Sequence, residues 1–150
     1  MKILVPVDGS AHSLKALEIA ADFAKSKQAE IYVISVALCI GGLEDHEISP
    51  HARERHEEIQ QQRAAEAIKT ACEVLKKHEV DARISSTLST SVSIPDAVIE
   101  FAKAEEIDLI VLGSRGLSGS RKFKLGGIAY EVVKYSPCAV YLVKIPAAQG

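Results

Sequence analysis

Short runs of branched apolar residues alternate, along 150 residues, with longer stretches of helical spacing. That alternation is the feature that most narrows the possible folds. The first run, Ile3-Leu4-Val5-Pro6-Val7, is continuous rather than alternating, as expected of a strand buried on both faces of a parallel sheet. Asp8-Gly9-Ser10 ends it, and Ser10 or Ser13 can cap a helix whose apolar positions include Leu14, Leu17, Ala20, Ala21 and Ala24. A second strand is expected over 30–36, and a polar stretch containing glycine over 37–50. A long helix follows over about 51–78. Its second half carries a stripe of Ala64, Ala67, Ile68, Ala71 and Leu75, whereas its first half, Arg53 to Arg63, reads as a polar segment projecting into water. A third strand is expected over roughly 81–88. A third helix begins near Ile94-Pro95-Asp96, with Pro95 in a tolerated first-turn position. The fourth strand reads 108–112, the last helix 126–136 and the fifth strand 139–143.

The order β-α-β-α-β-α-β-α-β implies a doubly wound α/β fold with right-handed crossovers: a five-stranded parallel sheet with helices on both faces. With strand order 3-2-1-4-5, the first strand lies where the order reverses. Ligands of such sheets sit there, beyond the carboxyl ends of the strands. Pro6 agrees with this placement, because a proline cannot donate to the ladder and belongs at a strand end. No repeat or linker interrupts 1–150, so a single domain is expected, with 146–150 as a mobile tail.

The net charge of −2 speaks against a nucleic-acid partner, since phosphate contacts need an excess of Lys and Arg. No apolar run approaches the roughly 20 residues that span a bilayer, and the amino terminus lacks a signal-peptide pattern. A cytoplasmic protein with no membrane partner is expected. Three cysteines, Cys39, Cys72 and Cys138, form no C-x-x-C pair and read as reduced, partly buried thiols.

The informative segment is the loop over 113–127 between the fourth strand and the last helix. Glycines let backbone N–H groups approach a phosphate, and a helix N-terminus favours negative charge. Arg115, Arg121, Lys122 and Lys124 add positive charge. Glycines also make ordinary turns and basic loop residues are also simply solvated, so loop chemistry alone leaves both readings open.

The spacing G-x-x-G, nine residues, then G (Gly113, Gly116, Gly126) resembles the ATP-binding signature of the universal stress proteins. The opening Ile3-Leu4-Val5-Pro6-Val7-Asp8-Gly9-Ser10 is similar to the start of that family. So are Asp108-Leu109-Ile110-Val111-Leu112-Gly113-Ser114-Arg115-Gly116 and the closing Ser136-Pro137-Cys138-Ala139-Val140. The resemblance implies that Asp8 faces the adenosine part of a nucleotide, that Val36 holds adenine through its backbone and that Gly113 lines the ribose. Gly116, Gly126 and Gly127 would surround the phosphates, and Pro6, Val7, Leu112, Arg115 and Ile128 would complete the nucleotide-binding set. The ligand so implied is ATP or AMP, with any Mg or Mn carried on the phosphates and no metal site in the chain itself. A homodimer through the strand 139–143 is also implied, together with a regulatory role in the stress response exercised through a protein partner not identifiable from sequence. Two positions depart from the family's pattern. Gly127 stands where Ser or Thr is usual, and Ser93 stands where glycine is frequent two residues before the helix proline.

No catalytic residues emerge. His46, His51 and His56 recur every five residues, whereas helical metal pairs need three or four. His12 reads as a solvated helix start and Cys138 as a packed thiol. The serines near the loop have no identifiable histidine and acid partners. There is no G-x-x-x-x-G-K-[ST] loop, and Asp8 is the one plausible metal carboxylate. The alternatives are a slow ATPase, a nucleotidyl or phosphoryl transferase, and an interaction module that has lost its nucleotide. A phospho-acceptor receiver is excluded, because the third strand leads into Ser85-Ser86-Thr87-Leu88-Ser89 with no acceptor aspartate.

Overall fold

The computed structural model describes residues 1–39, 49–115 and 125–145. Nine elements follow one another: β1 (Lys2–Pro6), α1 (Ala11–Lys27), β2 (Glu30–Leu38), α2 (Pro50–Lys77), β3 (Ala82–Thr90), α3 (Ile94–Ala104), β4 (Leu109–Gly113), α4 (Gly127–Tyr135) and β5 (Ala139–Val143). The strands form one parallel sheet in the order β3-β2-β1-β4-β5, the doubly wound α/β arrangement expected from the sequence.

The continuity of the apolar runs now has a physical explanation. Successive side chains of a strand point to opposite faces. Ile3, Val5 and Val7 enter a core with Leu17, Ala20, Ala21, Ala67, Ala71 and Leu75 of α1 and α2. Leu4, between them, enters a second core with Val98 and Ala102 of α3 and Ala129 and Val132 of α4. β1 therefore has no polar face to show. The edge strands are less covered: β3 alternates half-buried positions with the exposed polar residues Arg83, Ser85, Thr87 and Ser89, and β5 exposes Ala139 and Tyr141 before its buried last residue, Val143.

Local chemistry sets the helix starts. Of the two candidate caps for α1, Ser10 is the one used: the Ser13 N–H donates to Ser10 Oγ at 3.2 Å. Ser49 caps α2, with Pro50 in the first turn. Ser93 caps α3, accepting from the Asp96 N–H at 3.2 Å while its hydroxyl donates to Asp96 Oδ2 at 2.9 Å. That capping role gives one of the two departures from the family's pattern a reason of its own.

Several sequence expectations need correction. β2 continues through Ala37 and Leu38, placed in a loop by sequence, because these pair with Ser89 and Thr90 of a β3 longer than expected; the Cys39 N–H then donates to the Thr90 carbonyl at 2.8 Å. Cys72 is exposed on α2 rather than partly buried. Among the described residues no helix is long and apolar enough to cross a membrane.

Candidate functional site

β1 is shorter than its neighbour. Its last pairing to β2 is Pro6 with Ile34, and the Val7 N–H donates to the Ile34 carbonyl at 2.8 Å. β2 runs on alone on that side as far as Leu38. Backbone groups alternate along a strand. Since the Ile34 carbonyl points toward β1, the N–H and C=O of Val36 point the same way, past the end of β1. A crevice results between the ends of β2, β1 and β4, at the point where the strand order reverses.

A cavity of about 580 Å³ occupies this crevice, within the usual range for small-molecule sites of roughly 300–1,000 Å³. β1 and the turn after it contribute Pro6, Val7 and Asp8; β2 contributes Ser35 and Val36; β4 and its exit contribute Leu112, Gly113 and Arg115; the start of α4 contributes Gly126, Gly127 and Ile128. The fold thus gathers ten of the eleven residues expected from sequence into one cavity. Gly116 lies outside the described residues, as do His46, Ser118, Ser120, Arg121, Lys122 and Lys124.

Hydrogen bonds hold the turn after β1 rigid. Asp8 Oδ1 accepts from the Ser10 N–H at 2.8 Å, and the Asp8 N–H donates to Ser13 Oγ at 3.3 Å. Asp8 is nonetheless exposed and lines the cavity, so turn-building and facing a ligand are compatible roles.

The signature glycines differ from one another. A Cβ on Gly113 would stand 2.8 Å from the backbone carbonyl carbon of His12 and 2.8 Å from its Cβ. Glycine here admits the N-terminus of α1 against the end of β4. Gly126 has φ −70°, open to any residue, so left-handed geometry is not why it is glycine. A Cβ there would meet the Ser114 carbonyl oxygen at 3.3 Å and Arg115 Cα at 3.5 Å. Its N–H already donates to that same carbonyl at 2.7 Å. The donors that α4 offers to a ligand therefore begin at Gly127 and continue through Ile128 and Ala129, since the first-turn N–H groups of a helix lack intrahelical acceptors. All three residues line the cavity. Gly126 supplies no capping side chain, and a Cβ on Gly127 would meet nothing within 4 Å. The helix start is open, carries the positive end of the dipole and has Arg115 beside it.

Sequence reasoning missed part of the lining. Gln60, Arg63 and Ala64 enter from α2, and Ile94 and Val98 from α3. Gln60 and Arg63 belong to the half-helix expected to project into water. The available signal was positional: Gln60 lies one turn before Ala64 on the line of the buried stripe. His12, Cys138 and the α2 histidines do not line the cavity. Among the described residues no group of three or more His, Cys, Asp or Glu could hold a metal ion.

Known proteins share this architecture and sequence. A universal stress protein of Methanocaldococcus jannaschii is 31% identical, over 97% of this chain and 82% of its own length. The structure of the universal stress protein UspA from Lactobacillus plantarum superposes with a TM-score of 0.79 at 24% identity, covering 96% of this chain and 97% of that one. The universal stress protein of Archaeoglobus fulgidus, solved in complex with dAMP, gives a TM-score of 0.69 at 23% identity, over 96% of this chain and 98% of that one. At such identities the two structures establish likeness of fold alone. The sequence match is decisive: residues 1–144 match the family described as the universal stress protein family, and the chain belongs to it.

Proposed function

We propose that this chain is a single nucleotide-binding domain that takes an adenine nucleotide, ATP or AMP, in the switch-point cavity. It would act in the cytoplasm as a regulatory protein of the stress response rather than as a fast enzyme. The observation that carries the reading is the convergence of the ends of β1, β2 and β4 with the open first turn of α4 on one cavity. In this reading the Val36 backbone meets the base, and Asp8 and Gly113 lie along the sugar. The phosphates rest on the N–H groups of Gly127, Ile128 and Ala129 beside Arg115, as anions do at helix N-termini. The dAMP complex of the Archaeoglobus fulgidus relative supports the class of ligand. A divalent ion would arrive on the phosphates, with Asp8 the one carboxylate among the described lining residues.

The same composition speaks against rapid chemistry. Phosphoryl transfer is driven by metal-holding carboxylates, a lysine clamp and a group that positions the nucleophile, and the described lining offers one carboxylate and no lysine. Steady-state ATP turnover is expected far below the enzymatic median of about 10 s⁻¹. The proposed assembly is a homodimer through β5. Its support is the exposed apolar side chain that the edge strand itself presents, Tyr141, which lies against Phe23 on the α1 face of the sheet. Val140 and Leu142 pack into the core, so Tyr141→Glu, at an exposed position of β5 itself, is the cleaner way to produce monomers in light scattering.

Mass spectrometry of protein purified without denaturation tests the reading. Co-purified ATP, ADP or AMP is the expected result. Protein that carries no nucleotide, and takes up none when ATP is added at millimolar concentration, contradicts it.

A further inference from the structure

The polar half of α2 forms one wall of the cavity. α2 packs on β2 and β3 from one face of the sheet, whereas α3 and α4 build the core on the other. Gln60, Arg63 and Ala64 share one side of the helix, because residues three and four apart are neighbours there. Ala64 is buried and Gln60 half-buried. From the opposite face of the sheet, Ile94 and Val98 of α3 add an apolar wall, and Val36 aims its backbone between the two. This part of the cavity pairs apolar surface with one planar carboxamide. A carboxamide offers a carbonyl acceptor and an NH₂ donor side by side. That combination suits the edge of a flat heteroaromatic ring.

Building on the adenine-nucleotide reading, we infer that Gln60 reads the 6-amino and N7 edge of the purine and makes the site prefer adenine over 6-oxopurines. With the Val36 backbone on the neighbouring edge, the Gln60 carbonyl accepts from the 6-amino group while its NH₂ donates to N7, the bidentate fit of glutamine to adenine. Hypoxanthine presents acceptors at both atoms, which leaves the Gln60 carbonyl facing a lone pair. Arg63, three residues on, brings a planar cation to the same wall. A guanidinium that stacks on a ring face serves either purine alike.

Competition of ATP and ITP against N-methylanthraniloyl-ATP, followed by fluorescence, tests the assignment on the natural chain and on Gln60→Leu and Arg63→Ala. The natural protein is expected to favour ATP over ITP by roughly tenfold or more. In Gln60→Leu the ATP affinity falls by about that factor while ITP binding persists, so the ratio approaches one; the retained ITP binding shows that the site is still folded. Arg63→Ala weakens both ligands together and keeps the ratio. Gln60→Leu that weakens ATP and ITP equally, or that keeps the preference, overturns the inference. So does a natural protein that binds ATP with no preference over ITP, an outcome that leaves the nucleotide reading standing. A natural protein that binds neither ligand overturns both.

Discussion

At the end of β4, a Cβ added to Gly113 would collide with the backbone of His12 at 2.8 Å; at the start of α4, a Cβ added to Gly127 would meet nothing within 4 Å. Both glycines line the same cavity. The first is buried and tied to the fold, because α1 must start against the end of β4. The second is exposed at the mouth of the site, where nothing in the described residues requires glycine. Gly126 stands between these cases: its φ is ordinary, yet a side chain would press on Ser114 and Arg115 at the cavity wall. A glycine signature therefore mixes a position closed by packing with positions at the wall and mouth of the cavity. Substitutions at the three sites should separate stability from affinity.

The largest effect is expected at Gly113. The close contact is to backbone, which cannot swing aside, so Gly113→Ala should destabilise the protein by about 2–3 kcal/mol, in the range of overpacked cores. For a chain of 150 residues that is a fall of roughly 5–10 °C in thermal midpoint, measurable by calorimetry. An unchanged midpoint would show that α1 does not press on β4 as described.

Gly126→Val reverses the balance. Its branched side chain fills space at the cavity wall, and ATP affinity should fall tenfold or more, a loss of about 1.4 kcal/mol or greater. The cost in stability is that of a poor N-cap, about 1 kcal/mol. If the midpoint drops as far as in Gly113→Ala while ATP still binds normally, Gly126 is a packing glycine too, and the contrast between the two regions collapses.

The smallest change is Gly127→Ser. A Cβ fits there without displacement, and the hydroxyl would add a hydrogen bond to a charged group beside the first-turn N–H donors. Net gains of this kind reach about 1.5 kcal/mol, so ATP affinity should rise by up to about tenfold. Adenosine, lacking phosphate, should bind with unaltered affinity. Equal tightening of both ligands would trace the effect to a firmer helix start rather than to the phosphates.

The sheet was readable because both faces of β1 and β4 are covered, which removes polar residues from their runs. The crevice was readable because Pro6 and Asp8 mark where β1 stops. What escaped the sequence depended on distant partners. The extension of β2 to Leu38 is set by Ser89 and Thr90 across the ladder. The reason for Gly113 lies in His12, some hundred residues away in the chain. Gln60 and Arg63 are polar residues on a long polar half-helix, and a side turned to a cavity has the same composition as one turned to water. Only the packing of Ala64 and the alanines after it on the sheet fixes which side that is.

The central claim is that the open first turn of α4, with Arg115 beside it, holds the phosphates of an adenine nucleotide. Paired calorimetric titrations of the natural protein with ATP and with adenosine test it most directly. The account predicts saturable binding of ATP and weaker binding of adenosine, with the difference between them shrinking as salt is raised, because the interaction that distinguishes them is between charges. Equal affinities for ATP and adenosine at every salt concentration, or no heat from ATP at all, would contradict it.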